Sequence, residues 1–515
     1  MIFARHAPYS RHSSWGIVVI SVFLPLALVA ADWPQHRGPS HDGVSTERIN
    51  KNWTGSITNP VWLVSLTNGL TSLTVSGGRV FTQVRRNMDG ANKEVCLALG
   101  ASNGAELWAT VVDDNANYSG GVGLTDDGPR STPCIFGGSV YVLSSYHKLT
   151  RLNATNGVVI WSTNLVTGFG GSVIPWQSAA SPLMENGLIF VNANCGTGTL
   201  MAFNATNGVL VWRSQNEAMT HSTPVLVTMN GQRQLIFATQ SGLVSLNPQS
   251  GALLWKFPYP FSYSTSIGAS PAVWQNLIFL AMAYSRGAVA VQIVQSNSTQ
   301  IPVQLWANPQ LQDHWATPVC YQGAVFGQFI PDDETAELRC IDMATGAQRW
   351  AVADFGRGST MLIGTNLLII TERGDLVLAE ANTNAFVELA RFTAVPGFDG
   401  LRNKCWNALA LSDGQLYVRS TAYAARYDLS VPDLKLDPPS VNGGKLNLTI
   451  RTETGTPIDA SRLNSLEVRA STNVALTPDL WARLTNDLAL INGVVSISNV
   501  AAPPPRRFFI VSEPK

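Results

Sequence analysis

The stretch RLNATNGVVIW, residues 151–161, decides the fold of this chain, because close copies of it recur along the sequence. It consists of a strand, a turn of Asn, Thr and Gly, and a second strand that ends in tryptophan. The glycine stands where a tight hairpin needs a positive φ angle. The other copies end at Trp108, Trp212, Trp255 and Trp350, and Trp306 closes a longer version. The copy near Asn384 has no tryptophan and carries Glu388 near that position.

A second repeated unit precedes each hairpin by about twenty residues. It has a small residue, often followed by proline, then a glycine or asparagine and an alternating apolar strand, as in STPCIFGGSVYVLS. Its eight marker residues are Gly78, Gly138, Gly187, Gly231, Asn276, Gly323, Asn366 and Gly414. Two hairpins in each repeat give a four-stranded blade, so residues 60–430 are predicted to form an eight-bladed β-propeller.

The ring of blades has to close, and the chain offers a spare strand for this purpose. The eighth repeat lacks a final hairpin, while NPVWLVSL, residues 59–66, precedes the first repeat. We expect that strand to complete the last blade. The repeated tryptophans are expected to fasten each blade to the next, and they are Trp62, Trp108, Trp161, Trp212, Trp255, Trp306 and Trp350.

The regions outside the repeats differ in composition. Residues 1–31 combine basic residues, a short apolar run and small residues before Asp32, which predicts a secretory signal peptide, with an uncleaved anchor as the alternative. Residues 32–59 form an extension that contains WPQHRGP. Residues 431–515 contain a Pro-rich linker and five short alternating segments, which predict a small C-terminal β-sandwich. The whole chain is therefore expected to be all-β and exported, to the periplasm or the cell exterior.

Charge and cysteine content limit the partners and the chemistry. Lys+Arg and Asp+Glu both total 34, and charged residues make up 13% of the chain, so nucleic acid is not an expected partner. No segment after the signal peptide is expected to span a membrane, and a monomer is expected. In an oxidising compartment the six cysteines could form disulfides, although buried free thiols fit the sequence equally well.

The hairpins resemble the tryptophan-docking repeats of the pyrroloquinoline-quinone (PQQ) repeat family. That family includes quinoprotein alcohol dehydrogenases and a periplasmic propeller that assists outer-membrane β-barrel assembly. The segment DWPQHRGPSHDGVS, residues 32–45, resembles the opening of exported bacterial PQQ-like repeat proteins. The resemblance covers residues 32 to about 430 and implies the fold more than any one function.

The resemblance to quinoprotein dehydrogenases does not extend to their cofactor site. As a family they hold the quinone between a tryptophan and a disulfide of adjacent cysteines, beside a calcium ion. This chain has no adjacent cysteines and no Cys-x-x-Cys-His segment. Asp113, Asp114, Asn115, Asp126 and Asp127 could offer oxygen ligands to calcium, but a solvated loop explains them better, as it does residues 332–334. No catalytic residue and no cofactor is expected, with PQQ and calcium as the alternative.

The residues just before each innermost strand should line one mouth of the propeller channel. They are Arg130, Gln177, His221, Ser266, His314, Trp315, Arg357, Trp406 and Asn407. Arginine donors and indole faces at one place could bind an anionic or planar molecule, although a hydrated rim is the alternative. We therefore expect a non-catalytic propeller that binds a protein, a polysaccharide or a small ligand. A PQQ-dependent oxidoreductase and an outer-membrane assembly role are the alternatives.

Overall fold

The structure is a computed structural model that describes residues 32–118, 128–261, 267–297, 299–330, 335–399, 404–501 and 507–513. Strand residues account for 49% of the chain and helix for 4%, which confirms the all-β prediction. The contacts divide the chain after Ser430 into a large unit and a C-terminal unit. The predicted signal peptide lies outside the described residues.

The large unit begins with four sheets of four antiparallel strands, each formed by consecutive strands of the chain. Sheet 1 contains Thr74–Ser76, Arg79–Met88, Ala91–Gly100 and Glu106–Asp113; sheet 2 contains Cys134–Phe136, Ser139–Leu143, Lys148–Asn153 and Val159–Asn164. Sheet 3 contains Leu183–Glu185, Leu188–Asn192, Leu200–Asn204 and Leu210–Ser214; sheet 4 contains Val225–Met229, Gln232–Thr239, Gly242–Leu246 and Leu253–Pro258. The single α-helix in the described residues, Leu165–Phe169, follows sheet 2.

Four further sheets follow in the same manner. Sheet 5 contains Ala272–Trp274, Leu277–Met282, Gly287–Ser296 and Thr299–Asn308; sheet 6 contains Val319–Tyr321, Ala324–Phe329, Glu337–Asp342 and Gln348–Val352. Sheet 7 contains Gly358–Ile363, Asn366–Thr371, Asp375–Glu380 and Glu388–Thr393, with Val44–Ser45 added in parallel to its first strand. Sheet 8 contains Ala410–Ser412, Gln415–Arg419, Tyr423–Asp428 and, on its outer edge, Trp62–Ser65.

The first strands of successive sheets lie beside one another around a central channel. Those of sheets 1 and 2, 2 and 3, 5 and 6, and 6 and 7 are in contact, and the first strand of sheet 8 contacts that of sheet 1. These are the inner strands, and the sheets radiate from them. This arrangement is that of a β-propeller, while the number of blades stays a prediction.

The spare strand closes the ring, as the sequence predicts. Trp62–Ser65 pairs antiparallel with Tyr423–Asp428, with Trp62 opposite Arg426 and Ser65 opposite Tyr423. The buried Arg419 adds a second link between sheets 8 and 1, because its Nη1 donates to Thr71 O over 2.7 Å and to Gln83 O over 3.1 Å. The first and last parts of the propeller are therefore joined by both backbone and side-chain bonds.

The hydroxyl residues before the inner strands connect neighbouring sheets. The backbone N–H of Ser72 donates to Thr132 Oγ1 over 3.2 Å, and that of Thr132 donates to Ser181 Oγ over 2.9 Å. The same link runs from Ser181 to Thr223, from Ser270 to Thr317 and from Ala408 to Ser72. Each hydroxyl satisfies a buried amide of the sheet before it, which explains the small polar residue of the repeat.

Six of the repeated tryptophans contact the following sheet. Their indole N–H groups donate to a backbone carbonyl over 2.8–3.1 Å, and the pairs are Trp62–Ala101, Trp108–Ala154, Trp161–Ala205, Trp212–Pro248, Trp306–Met343 and Trp350–Asn382. A Cβ on Gly157 would stand 2.7 Å from the Trp108 ring, so glycine is needed where the indole approaches the hairpin. Trp255 differs, because it donates to Gln234 Oε1 within its own sheet.

The extension before the closing strand runs across the channel, and we call residues 32–50 the N-terminal strap. Trp33 pairs with Val75 of sheet 1, and Pro34 O accepts the N–H of Ile135 in sheet 2. Farther along, Gly43 O accepts the N–H of Leu362 in sheet 7. Glu47 and Asn50 then contact sheet 8 through Gly414 and Leu429. A 3₁₀ turn, Gly55–Thr58, leads into the closing strand.

The C-terminal unit contains two sheets around one apolar cluster. One sheet has Leu434–Leu436, Ser440–Asn442, Lys445–Thr452, Ala489–Ile491 and Val494–Val500, and the other has Glu467–Ser471, Ala482–Arg483 and Phe508–Ser512. The 3₁₀ turn Ala460–Ser465 lies between the two sheets in the chain, and a second, Pro478–Leu480, joins two strands of the smaller sheet. All five predicted strands are present, and the cluster draws on both sheets. The sandwich form of this unit stays a prediction.

The structure shows the state of the cysteines. All six cysteines are free thiols, five of them buried. Burial raises the pKa of Cys134 and Cys320 to about 12, so these thiols are unreactive as they stand.

None of the described helices has the length and apolar content needed to cross a bilayer.

Candidate ligand site in the channel funnel

Six of the predicted mouth residues meet at one end of the channel, and we call them the funnel cluster: Arg130, His221, His314, Trp315, Arg357 and Trp406. They come from the loops before the inner strands of sheets 2, 4, 6, 7 and 8. The inner strands of a propeller run in one direction along the axis. Loops that precede them therefore converge at the same end.

Two indoles in tilted contact form the centre of the funnel cluster. The ring centroids of Trp315 and Trp406 are 4.5 Å apart, with an angle of 33° between the planes. The guanidinium carbon of Arg357 lies 5.8 Å from one ring and 5.9 Å from the other. Lys404 Nζ lies 4.7 Å from the Trp406 ring. Aromatic faces and cations therefore share this end of the channel.

A buried carboxyl group orients the turn that carries His314 and Trp315. Asp313 is fully buried, and its Oδ1 accepts the N–H of Ala316 over 3.1 Å. Burial raises the pKa of Asp313 well above its usual range, although the neighbouring backbone N–H groups oppose the shift. Gly268 lets the loop before sheet 5 pack closely against this turn, because a Cβ there would stand 2.9 Å from Trp315 Cβ.

His221 and Arg130 form the other side of the funnel cluster. Both ring nitrogen atoms of His221 are buried. Burial, with Arg130 and His314 nearby, lowers the pKa of His221 to about 3, so the ring is neutral at pH 7. Arg130 Nη1 donates to Trp176 O over 2.7 Å.

Two predicted site residues have structural contacts. Asn407 is buried, and its Nδ2 donates to Thr71 O over 2.9 Å, which joins sheets 8 and 1. Gln177 is buried in a loop in which it and Trp176 have φ angles of 57° and 60°, in the left-handed region. Ser266 lies outside the described residues.

The acidic loop residues do not form a metal centre where they are described. Asp113 accepts hydrogen bonds from Ser144 Oγ and the N–H of Asn115, and Asp114 forms an ion pair with Lys93 at 2.5 Å. Asp126, Asp127 and residues 332–334 lie outside the described residues. Elsewhere in the described part of the chain, no group of three or more His, Cys, Asp or Glu side chains is placed to hold a metal ion.

The residues present do not fit the quinone site of quinoprotein dehydrogenases. That site requires adjacent cysteines, and no two cysteines of this chain are neighbours in the sequence. The carboxyl group beside the funnel cluster, Asp313, is fully buried and bound to the backbone of its own turn. We therefore derive no redox step for this site.

Three residues at the funnel were missed by the sequence analysis: Trp176, Tyr284 and Lys404. Trp176 directly precedes Gln177, and Lys404 precedes Trp406 by two positions. Tyr284 contacts His314 edge to face, with ring centroids 5.2 Å apart. A search of whole loops could have found the first two, whereas Tyr284 follows a second strand and has no signal in the repeat.

Comparison with known proteins identifies a family for the large unit. The family model described as outer membrane protein assembly factor BamB matches residues 91–352, about half of the chain. Curated relatives with that name are 24% identical over 60% of the chain in Yersinia pestis, and 23% identical over 59% in Moranella endobia. The matches span 70% and 63% of those proteins.

A solved structure is similar in fold alone. The quinohemoprotein alcohol dehydrogenase from Comamonas testosteroni is 12% identical, with a TM-score of 0.53, and the match covers 84% of each chain.

Proposed function

Because the chain belongs to the PQQ-like β-propeller family whose model is described as outer membrane protein assembly factor BamB, we propose that it binds or scaffolds another molecule without catalysing a reaction. The proposed protein is an exported, monomeric, periplasmic propeller of eight blades with an appended β-sandwich module. Its ligand is held by the funnel cluster.

The contacting pair Trp315 and Trp406 carries this proposal. Both indole Nε1 atoms are buried and have no hydrogen-bond acceptor among the residues that the structure describes. A buried N–H without an acceptor costs about 1–3 kcal/mol, which a bound acceptor would recover. Arg357 and Lys404 beside the rings favour negative charge on that acceptor.

The remaining groups support a ligand that supplies acceptors. Tryptophan, arginine and lysine side chains donate hydrogen bonds and do not accept them. His221 is neutral, so it adds one donor and one acceptor and no charge. An anionic small ligand, an acidic polysaccharide or a carboxylate-bearing protein segment fits these donors.

The proposal is tested by calorimetric titration with two probes, PQQ with Ca²⁺ and an acidic oligosaccharide such as oligogalacturonate. We expect at least one probe to bind the parent protein. Replacing Arg130, His221 and Arg357 together by Ala should abolish that binding and leave the folded state intact. The matched control removes three surface cations, Arg86, Arg349 and Arg391, whose ion pairs lie outside the funnel; it should bind like the parent.

Two results would contradict the proposal. Equal affinity of the parent and the funnel triple variant would place the ligand elsewhere. Reduction of an artificial electron-acceptor dye by the protein with PQQ, Ca²⁺ and an alcohol would show an oxidoreductase and exclude a purely binding role.

A second candidate is a role in outer-membrane protein assembly, which the names of the curated relatives favour. In that case the partner is a protein, and the funnel cluster need not contact it. The two candidates differ in whether the funnel triple variant loses activity.

A further inference from the structure

We propose that the inner strands beyond the funnel cluster form a binding site for an extended peptide segment with tryptophan and arginine anchors, which residues 33–45 of the strap fill in cis. This inference rests on strap contacts and not on the funnel ligand. The strap is held in this site by backbone hydrogen bonds to several sheets and by one buried guanidinium group. The inference goes beyond the proposed function, because neither the funnel cluster nor the family relation assigns a ligand to this site.

The strap adds backbone hydrogen bonds to inner strands at both of its ends. Trp33 exchanges two N–H to O bonds of 2.9 Å with Val75, and Pro34 O accepts the N–H of Ile135 over 2.7 Å. At the other end, Val44 and Ser45 pair in parallel with Leu362 and Ile363. Strand addition of this kind is a common mode of peptide recognition.

These contacts lie beyond the funnel residues along the inner strands. Val75 and Ile135 are the middle residues of their three-residue inner strands, and Leu362 is the fifth residue of a six-residue one, whereas the funnel residues precede the inner strands. Since the inner strands run in one direction along the axis, the strap backbone lies farther along the channel than the funnel cluster.

Arg37 is the polar anchor of the segment. Its Nη1 donates to Thr317 O over 2.7 Å, and its Nη2 donates to Pro318 O over 2.8 Å and to Asp42 O over 2.6 Å. The residue is 6% exposed. The carbonyls of residues 317 and 318, just before the inner strand of sheet 6, therefore form a socket that matches the forked guanidinium, and the shorter, single ammonium of lysine would not reach both.

Trp33 is the apolar anchor. It is 3% exposed and belongs to the apolar cluster of sheets 1, 7 and 8. The turn that follows leaves room for the indole only because residue 38 is glycine, since a Cβ there would stand 2.6 Å from the ring. Gly38 has a φ angle of 81°, which a residue with a side chain rarely adopts.

The buried Cys134 reports on whether the strap is in place. Its Sγ lies 3.6 Å from Gln35 Oε1, beneath the segment. Cys96 and Cys405 are fully buried at other places, in strand 3 of sheet 1 and before the inner strand of sheet 8. A thiol reagent followed by mass spectrometry therefore distinguishes release of the strap from general unfolding.

In the full chain, Arg37→Ala should release the segment more often and label Cys134 roughly ten- to a hundredfold faster, the range expected for lost charged hydrogen bonds. Cys96 and Cys405 should label at the parent rate. Arg37→Lys should resemble Arg37→Ala, and the control Arg48→Ala, at an exposed strap position, should resemble the parent. Unchanged labelling of Cys134 in Arg37→Ala would overturn the proposal.

A second measurement keeps the test independent of folding. A protease site inserted after Thr46, which is exposed, allows the strap to be cut after the protein has folded. We expect the cut segment to stay bound on gel filtration and to exchange with an excess of labelled peptide of residues 32–46. The same peptide with Arg37→Ala and Trp33→Ala should not compete.

The outcomes of this exchange separate the possible occupants. Immediate loss of the segment after cutting, or equal competition by the doubly substituted peptide, would overturn the proposal.

Discussion

Thr132 shows how a single hydroxyl connects two sheets. Its Oγ1 accepts the N–H of Ser72 over 3.2 Å, while its own N–H donates to Ser181 Oγ over 2.9 Å. The residue is 1% exposed, so water does not replace either bond. A residue that both accepts from one neighbour and donates to the other transmits its position around the inner ring.

Replacing Thr132 by Val keeps the shape and removes the acceptor. The N–H of Ser72 would then be buried without a partner, which costs about 1–3 kcal/mol of the free energy of unfolding. Urea titration should show that loss for Thr132→Val and a smaller one for Thr132→Ser, which retains Oγ. If Val and Ser have equal effects, the hydroxyl link does not stabilise the ring.

At the scale of elements, the closing strand joins the two ends of the propeller. Trp62–Ser65 forms the outer edge of sheet 8, and the Trp62 indole donates to Ala101 O of sheet 1 over 2.9 Å. The strand therefore holds sheet 8 by its backbone and sheet 1 by its side chain. Trp62 itself is 7% exposed.

Deletion of residues 60–66 should lower the melting temperature clearly, because an edge strand and one buried indole are lost together. A substitution, Trp62→Phe, should lower it less, since it removes the N–H bond and part of the contact but keeps the strand. Calorimetry gives both values. A melting temperature unchanged by the deletion would show that the ring does not depend on this strand.

The fold could be predicted from the repeats in the sequence, whereas the strap contacts could not. The four-residue spacing of Gly157 and Trp161 within one hairpin follows directly from local geometry. Gly268, which shapes the funnel, approaches Trp315, a residue that only the packing of neighbouring sheets brings near. Arg37 likewise binds carbonyls of residues 317 and 318, a long-range contact that no local pattern encodes.

At the scale of the whole molecule, the buried histidines make the folded state less stable at acidic pH. Burial lowers the pKa of His36, His41 and His221 to about 3 and that of His147 to about 4, below the ordinary value of 6.5. The unfolded chain binds these protons near pH 6.5 and the folded chain does not. Stability is therefore full above that pH and is lost as the pH falls towards the folded pKa.

His147 isolates this effect, because it is fully buried. Between pH 7 and pH 5 His147 should lower the free energy of unfolding of the parent by about 2 kcal/mol. The variant His147→Leu should not show this loss. Burial raises the pKa of Glu94 to about 8, which acts in the opposite direction in both proteins and cancels in the comparison. Urea titrations at the two pH values measure the difference. Equal pH dependence in both proteins would show that His147 takes up its proton in the folded state.

The pairing of Trp62 with Arg426 also orders events during synthesis. The closing strand leaves the ribosome before the antiparallel strands of sheets 1 to 7, and its partner, Tyr423–Asp428, leaves after them. For most of elongation the closing strand has no partner strand for its backbone hydrogen bonds. Val61 and Leu63 remain about half exposed even in the finished protein. A chain of this topology folds slowly through non-local contacts, so a nascent molecule must be kept from its neighbours until the final sheet has emerged.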